Sequence, residues 1–112
     1  MKNYQSTPDK ELLDAITERI VSVANPVKII LFGSAAEERM GRDSDIDLLV
    51  VVPDNIHRRN TAKSIYRKLS GMGFSKDIVV VTEGDLEQYK GNPGMVIHPA
   101  LKHGRELYNV AA

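Results

Sequence analysis

The sequence predicts an α/β layered domain. Three short β-branched runs, residues 27–33, 45–52 and 76–82, alternate with segments whose apolar residues recur at helical spacing, and Gly, Pro and Asn punctuate the joins. Sheets and amphipathic helices bury their apolar sides against each other, so this alternation calls for helices that cover a sheet. Strand order and direction stay open at this stage.

The first helix is expected from Pro8 to Ala24. The Thr7 hydroxyl can cap free amides, and proline loses nothing at the first helical position. Leu12, Leu13, Ile16, Ile20 and Val23 then form one face. Asp9, Glu11 and Asp14 suit the positive end of the dipole, and Asn25-Pro26 closes the segment. VKIILFG, bounded by Pro26 and Gly33, reads as a buried strand, and SAAEERM (34–40) as a short helix. After the turn Gly41 to Ser44, DIDLLVVV (45–52) is a second strand, stopped by Pro53-Asp54-Asn55. Ala62, Ile65, Tyr66, Leu69 and Met72 place a helix over Arg58 to Met72, ended by Gly71 and Gly73. KDIVVVT (76–82) is the third strand. Helices follow at Glu83 to Tyr89 and Met95 to His103, the latter interrupted at Pro99.

A length of 112 residues argues for one domain over 1–112, with an open cleft rather than a deep pocket. Lys plus Arg equals Asp plus Glu at 15 each, which excludes a generally basic nucleic-acid binder. With 42% hydrophobic and 27% charged residues the chain is expected to fold. The lack of Cys excludes disulfides, thiolate metal sites and cysteine nucleophiles, and fits the reducing cytoplasm. MKNYQSTPDKE has no apolar targeting segment, and the aliphatic run Leu48 to Val52 is far too short for a bilayer, so no membrane role is expected.

Asp45 and Asp47 lie two apart on a predicted strand, which puts both carboxylates on one face. Paired acids repel and resist desolvation, so their place at the head of an apolar strand suggests a compensating cation. A donor set of oxygens alone points to a hard divalent ion, Mg²⁺ foremost. The plainer alternative is a polar strand entry, with Asp43 and Ser44 in the turn and the acids at the solvent edge. An EF-hand is excluded, because Leu48 stands at its glycine position and Asp54 at its terminal glutamate position. Gly33-Ser34 closes the first strand and offers free amides for a phosphate, although no Lys follows in the P-loop pattern.

Gly33-Ser34, ten intervening residues, then Asp45-Ile46-Asp47-Leu48 resembles the signature of the nucleotidyltransferase superfamily related to DNA polymerase beta. The resemblance extends from the first helix to the terminal NPGMVIHPALKHGRELY, and the length is similar to that of the minimal, MNT-type members. It implies a small mixed sheet of three or more strands flanked by helices. It also implies that Gly33 and Ser34 hold a nucleoside triphosphate, with Ser44 in the same nucleotide-binding set. Asp45, Asp47 and, by its place opening the third strand, Asp77 would be the catalytic acids and the ligands of two Mg²⁺ ions. An ordinary strand-entry acid is the alternative for Asp77. Many relatives carry Arg shortly after Gly-Ser, where this chain has Ala35, Ala36, Glu37 and Glu38; Arg39 and Arg42 are the candidate substitutes.

The activity so implied is transfer of a nucleoside monophosphate, AMP from ATP foremost among nucleoside triphosphates, to a protein or other hydroxyl acceptor. MNT-type relatives work with a separate helical HEPN protein, some as antitoxins, so a HEPN-type partner is an expectation, as is a possible homo-oligomer. The alternative class is a non-catalytic module that binds nucleotide or partner. An aminoglycoside-type resistance transferase would need a substrate domain that this length lacks. Elsewhere, Arg58, Arg59, Lys63, Arg67 and Lys68 load one helix with no acid between Asn55 and Lys76, a solvated face or a dock for an acidic protein or RNA. Like charges four apart cost about 0.2 to 0.5 kcal/mol per pair in an isolated helix. His57, His98 and His103 lack metal-pair spacing, and an aromatic content of 5% gives no base-stacking platform, which disfavours direct nucleic-acid readout.

Overall fold

The computed structural model describes residues 8–33, 36, 45–89 and 97–111. Its elements run α1 (Lys10–Ala24), β1 (Lys28–Phe32), β2 (Ile46–Val52), α2 (Arg58–Lys68), β3 (Lys76–Thr82), α3 (Glu83–Tyr89), α4 (Ile97–His103) and β4 (Arg105–Asn109). The strands form one mixed sheet in the order β3-β2-β1-β4. β1 pairs antiparallel with both β2 and β4, while β2 and β3 are parallel. Parallel neighbours need a crossover, and α2 supplies it.

Side-chain alternation divides the core between the two faces of this sheet. Ile29, Leu31, Ile46, Leu48, Val50 and Val52 pack with Leu13, Ile16 and Ile20 of α1 and with Ile65 and Leu69 at α2. Ile30, Phe32, Leu49, Val51 and Val81 face the other way, toward Ala100, Leu86 and Leu101 of α4 and α3. β2 is therefore buried on both faces, which explains why its sequence is a continuous aliphatic run rather than an alternating one.

Local chemistry sets the element ends. Asp9 occupies the N-cap of α1 with extended backbone and makes no side-chain cap bond, while Asn25 closes the helix at a left-handed φ of 48°. The capping role expected of Thr7 lies outside the described residues, as does nearly all of the predicted helix 34–40. α2 stops at Lys68, four residues short of the predicted Met72. Its last turn is closed at Leu69, and Gly71 and Gly73 follow at φ of 85° and 82°. α4 runs through Pro99 without a break, because that residue falls in the first turn, where a missing N–H loses no helical bond.

β4 has no counterpart among the predicted strands. RELYN carries charge at its start and only Leu107 and Tyr108 as apolar residues, so its strand character comes from pairing with β1 across a register shift at Ile29/Ile30. Gly104 makes the preceding turn possible. A Cβ there would overlap the Ala100 carbonyl oxygen and press on Ile30 and the Leu31 carbonyl. On the opposite edge, the Ile78 amide donates to Tyr66 Oη (2.9 Å) and the Thr82 amide to Asp85 Oδ2 (3.0 Å), so side chains take up two main-chain donors of β3.

Candidate active site

The candidate site lies where β1 ends and β2 and β3 begin. Antiparallel pairing sets Phe32 opposite Asp47, and parallel pairing sets Asp47 beside Asp77. Asp47 thus shares the sheet face of Phe32, Leu49 and Val51, opposite the face that α1 and α2 cover. Asp45 stands just ahead of β2 and is exposed, Asp77 is exposed, and Asp47 between them is half-buried. Two side chains in register on adjacent strands are direct neighbours on one face of the sheet.

Electrostatics bear the imprint of this grouping. Burial pushes the Asp47 carboxyl above the ordinary aspartate range, and the charges of Asp77 and then Asp45 push it further the same way. The two strand-entry acids of β2 and the one of β3 therefore act on a common point. Sequence spacing alone could relate Asp45 to Asp47; the pairing of β2 with β3 is what brings Asp77 beside them.

Gly33 completes the arrangement in a way the sequence does not reveal. It follows β1 at φ 74°, a conformation costly for any residue with a Cβ. A Cβ built there would also overlap Asp47 Oδ2. The glycine thus both turns the chain and clears the space into which the Asp47 carboxylate extends. Ser34, Arg39, Arg42 and Ser44, the other expected nucleotide-binding residues, lie outside the described residues.

The donor set suits Mg²⁺. Hard carboxylate oxygens are its preferred protein ligands, and a cation would relieve the part of the Asp47 shift that comes, after burial, from the charges of Asp77 and Asp45. Among the described residues no cluster of three acidic or histidine side chains is placed to hold a metal ion. Mg²⁺ needs none, since it keeps several waters and takes one or two carboxylates together with substrate phosphates.

A different cleft, of about 640 Å³, opens at the far end of the same strands, where Asp54, His57, Arg58 and Thr82 line it. Its acids are engaged: Asp54 accepts from the Gly84 amide (2.7 Å), and Asp85 binds Arg58 (2.7 Å) as well as Thr82. Thr82 and Asp85 exchange bonds across the start of α3, with the Asp85 amide donating to Thr82 Oγ1 (3.1 Å). Thr-x-x-Asp before a helix is a capping-box pattern, and that signal was available in the sequence. His57 caps α2 by accepting the Asn60 amide at Nδ1 (3.2 Å), which gives it a structural role.

Comparison with known proteins gives the family and the fold. The family model for the polymerase beta nucleotidyltransferase domain matches residues 14–111, and the chain belongs to this family. The fold is similar to that of a Sulfolobus solfataricus protein described as a candidate nucleotidyltransferase, at 20% identity and a TM-score of 0.61, over 90% of this chain and 80% of that one. A chain in the complex of tri-AMPylated Shewanella oneidensis HEPN toxin with MNT antitoxin aligns at 16% identity and a TM-score of 0.49, over 88% of this chain and 74% of that one. No protein of curated function matches the sequence. Among the described residues no helix is long and apolar enough to cross a membrane.

Proposed function

We propose that the chain is a Mg²⁺-dependent nucleotidyltransferase that moves AMP from ATP to a hydroxyl acceptor. The observation that carries this reading is the register of Asp47 with Asp77 beneath the Gly33 turn, with Asp45 in the same field. Asp45, Asp47 and Asp77 would hold the metal, two ions being the expected complement. Bound there, Mg²⁺ supplies charge neutralisation for the triphosphate and for the leaving pyrophosphate.

The chain's own residues then have distinct tasks. Gly33 and Ser34 orient the triphosphate through main-chain and hydroxyl donors, with Arg39, Arg42 and Ser44 as further nucleotide-binding groups. Asp77, exposed at the edge strand, would accept the acceptor's proton as its oxygen attacks the α-phosphorus and pyrophosphate departs. The open setting of the acids suits an acceptor carried on a macromolecule. On the strength of the MNT-like motif, the proposed setting is an antitoxin that modifies a HEPN-type helical partner in the cytoplasm.

The test is transfer of label from α-labelled ATP with Mg²⁺ into an extract of the host cell. Wild-type chain is expected to label a discrete acceptor, and the Asp45→Asn, Asp47→Asn double variant is expected to label none. Equal labelling by both, or none by either, would reject catalysis by these acids and leave a module that acts by binding.

A further inference from the structure

We infer that the solvent face of α2 is a docking surface for a protein partner that presents an acidic helix. Arg59, Lys63 and Arg67 recur every fourth residue and are all exposed, while Ile65 and Leu69 hold the opposite face in the core. At about 1.5 Å per residue the row spans about 12 Å. The three cations make no ion pair among the described residues, although Arg58 beside them binds Asp85 and the Lys68 carbonyl accepts from Arg19. α2 has no acid of its own. Like charges at this spacing repel, so the row is held against its own electrostatics and an anionic occupant would relieve it.

The shape of the charge selects the occupant. Carboxylates repeated every fourth residue on a partner helix match the row one to one. Arg59, at the head of the row, also lines the cleft of about 640 Å³ whose own acids are already engaged, so the track ends in a concave seat. A nucleic acid fits less well. The whole chain is neutral, and neighbouring α1, whose Arg19 reaches the Lys68 carbonyl, also exposes Glu11, Asp14 and Glu18, so acids adjoin the row where a nucleic-acid binder would carry a broad basic footprint. Neither the row nor the cleft includes the three acids at the other end of the sheet, so the inference stands whether or not the chain transfers nucleotides.

Fluorescence anisotropy of the full chain with a labelled synthetic helical peptide carrying Glu at every fourth position tests it. The probes for comparison are the same peptide with Gln for Glu and a single-stranded RNA of matched length. Wild type is expected to bind the Glu peptide more tightly than either comparison probe, and less tightly as salt is raised. Arg59→Gln, Lys63→Gln, Arg67→Gln together should weaken that binding about tenfold, the weight of three exposed ion pairs, with unchanged far-ultraviolet circular dichroism. Undiminished binding by the folded triple variant, no binding by wild type, or tighter binding of the RNA would overturn the inference. Charge reversal at Arg59 and Lys63 alone provides a second variant: it must also weaken binding, and label transfer measured in parallel keeps this result separate from the fate of the catalytic reading.

Discussion

Replacing Gly33 with Ala probes the candidate site through stability alone, without any substrate. Two costs arise. A residue with a Cβ at φ 74° is strained by about 1–2 kcal/mol, and the new methyl displaces the Asp47 carboxylate from its rotamer for about another 1 kcal/mol. The expected loss is about 2–3 kcal/mol, or a drop in Tm of about 10 °C for a chain of this size. Gly71→Ala separates the two costs, because Gly71 has φ 85° and nothing within 4 Å of its would-be Cβ. That variant should lose only the backbone part. Urea denaturation of Gly33→Ala in the wild-type and Asp47→Ala backgrounds completes the measurement, since removing the carboxylate removes the overlap. A coupling of about 1 kcal/mol is expected. If Gly33→Ala costs the same in both backgrounds, or no more than Gly71→Ala, Asp47 does not lie over the Gly33 turn and the geometry proposed for the site fails.

Further outcomes follow from single groups. Asp47→Asn should raise Tm at neutral pH. The folded chain holds the Asp47 proton more tightly than the unfolded chain does, so stability falls as pH climbs from the ordinary aspartate value to the raised one and the cost is full above it; the advantage of the Asn variant should fade below about pH 4. A lower Tm for Asp47→Asn at pH 7 would contradict this. Asp85→Ala should cost about 1 kcal/mol, as it removes the acceptor for the Thr82 amide and the partner of Arg58. Thr82 and Arg58 hold the Asp85 carboxyl below its ordinary range, so this difference should be full above the ordinary aspartate value and vanish as pH falls through the lowered one; a pH-independent difference would refute the role. Gly104→Ala should destabilise by about 2–3 kcal/mol, because its methyl would overlap the Ala100 carbonyl and crowd Ile30 and Leu31. A near-neutral effect in thermal melts would show that α4 can move off β1.

Much was legible because it is local. The aliphatic run of β2, the helical spacing in α1 and the Gly33-Ser34 to Asp45-Asp47 spacing are properties of neighbouring residues, and each fixes an element or a motif without reference to the rest of the chain. Boundaries that hang on a cap or a first turn were less legible: α2 stops at Lys68, and Pro99 is absorbed at the start of α4.

By itself, then, the sequence determined an α/β chain in which two acids stand on one face at the head of a buried strand. It determined this because period-two and period-3.6 patterns are written along the backbone. Pairing decided the rest. Only the parallel register of β2 and β3 puts Asp77 beside Asp47, only the antiparallel register of β1 and β2 turns Gly33 into room for a carboxylate, and only β1 makes a strand of Arg105–Asn109. Strand order is a long-range choice, set by which faces can be buried together, and spacing along one segment carries no record of its neighbours.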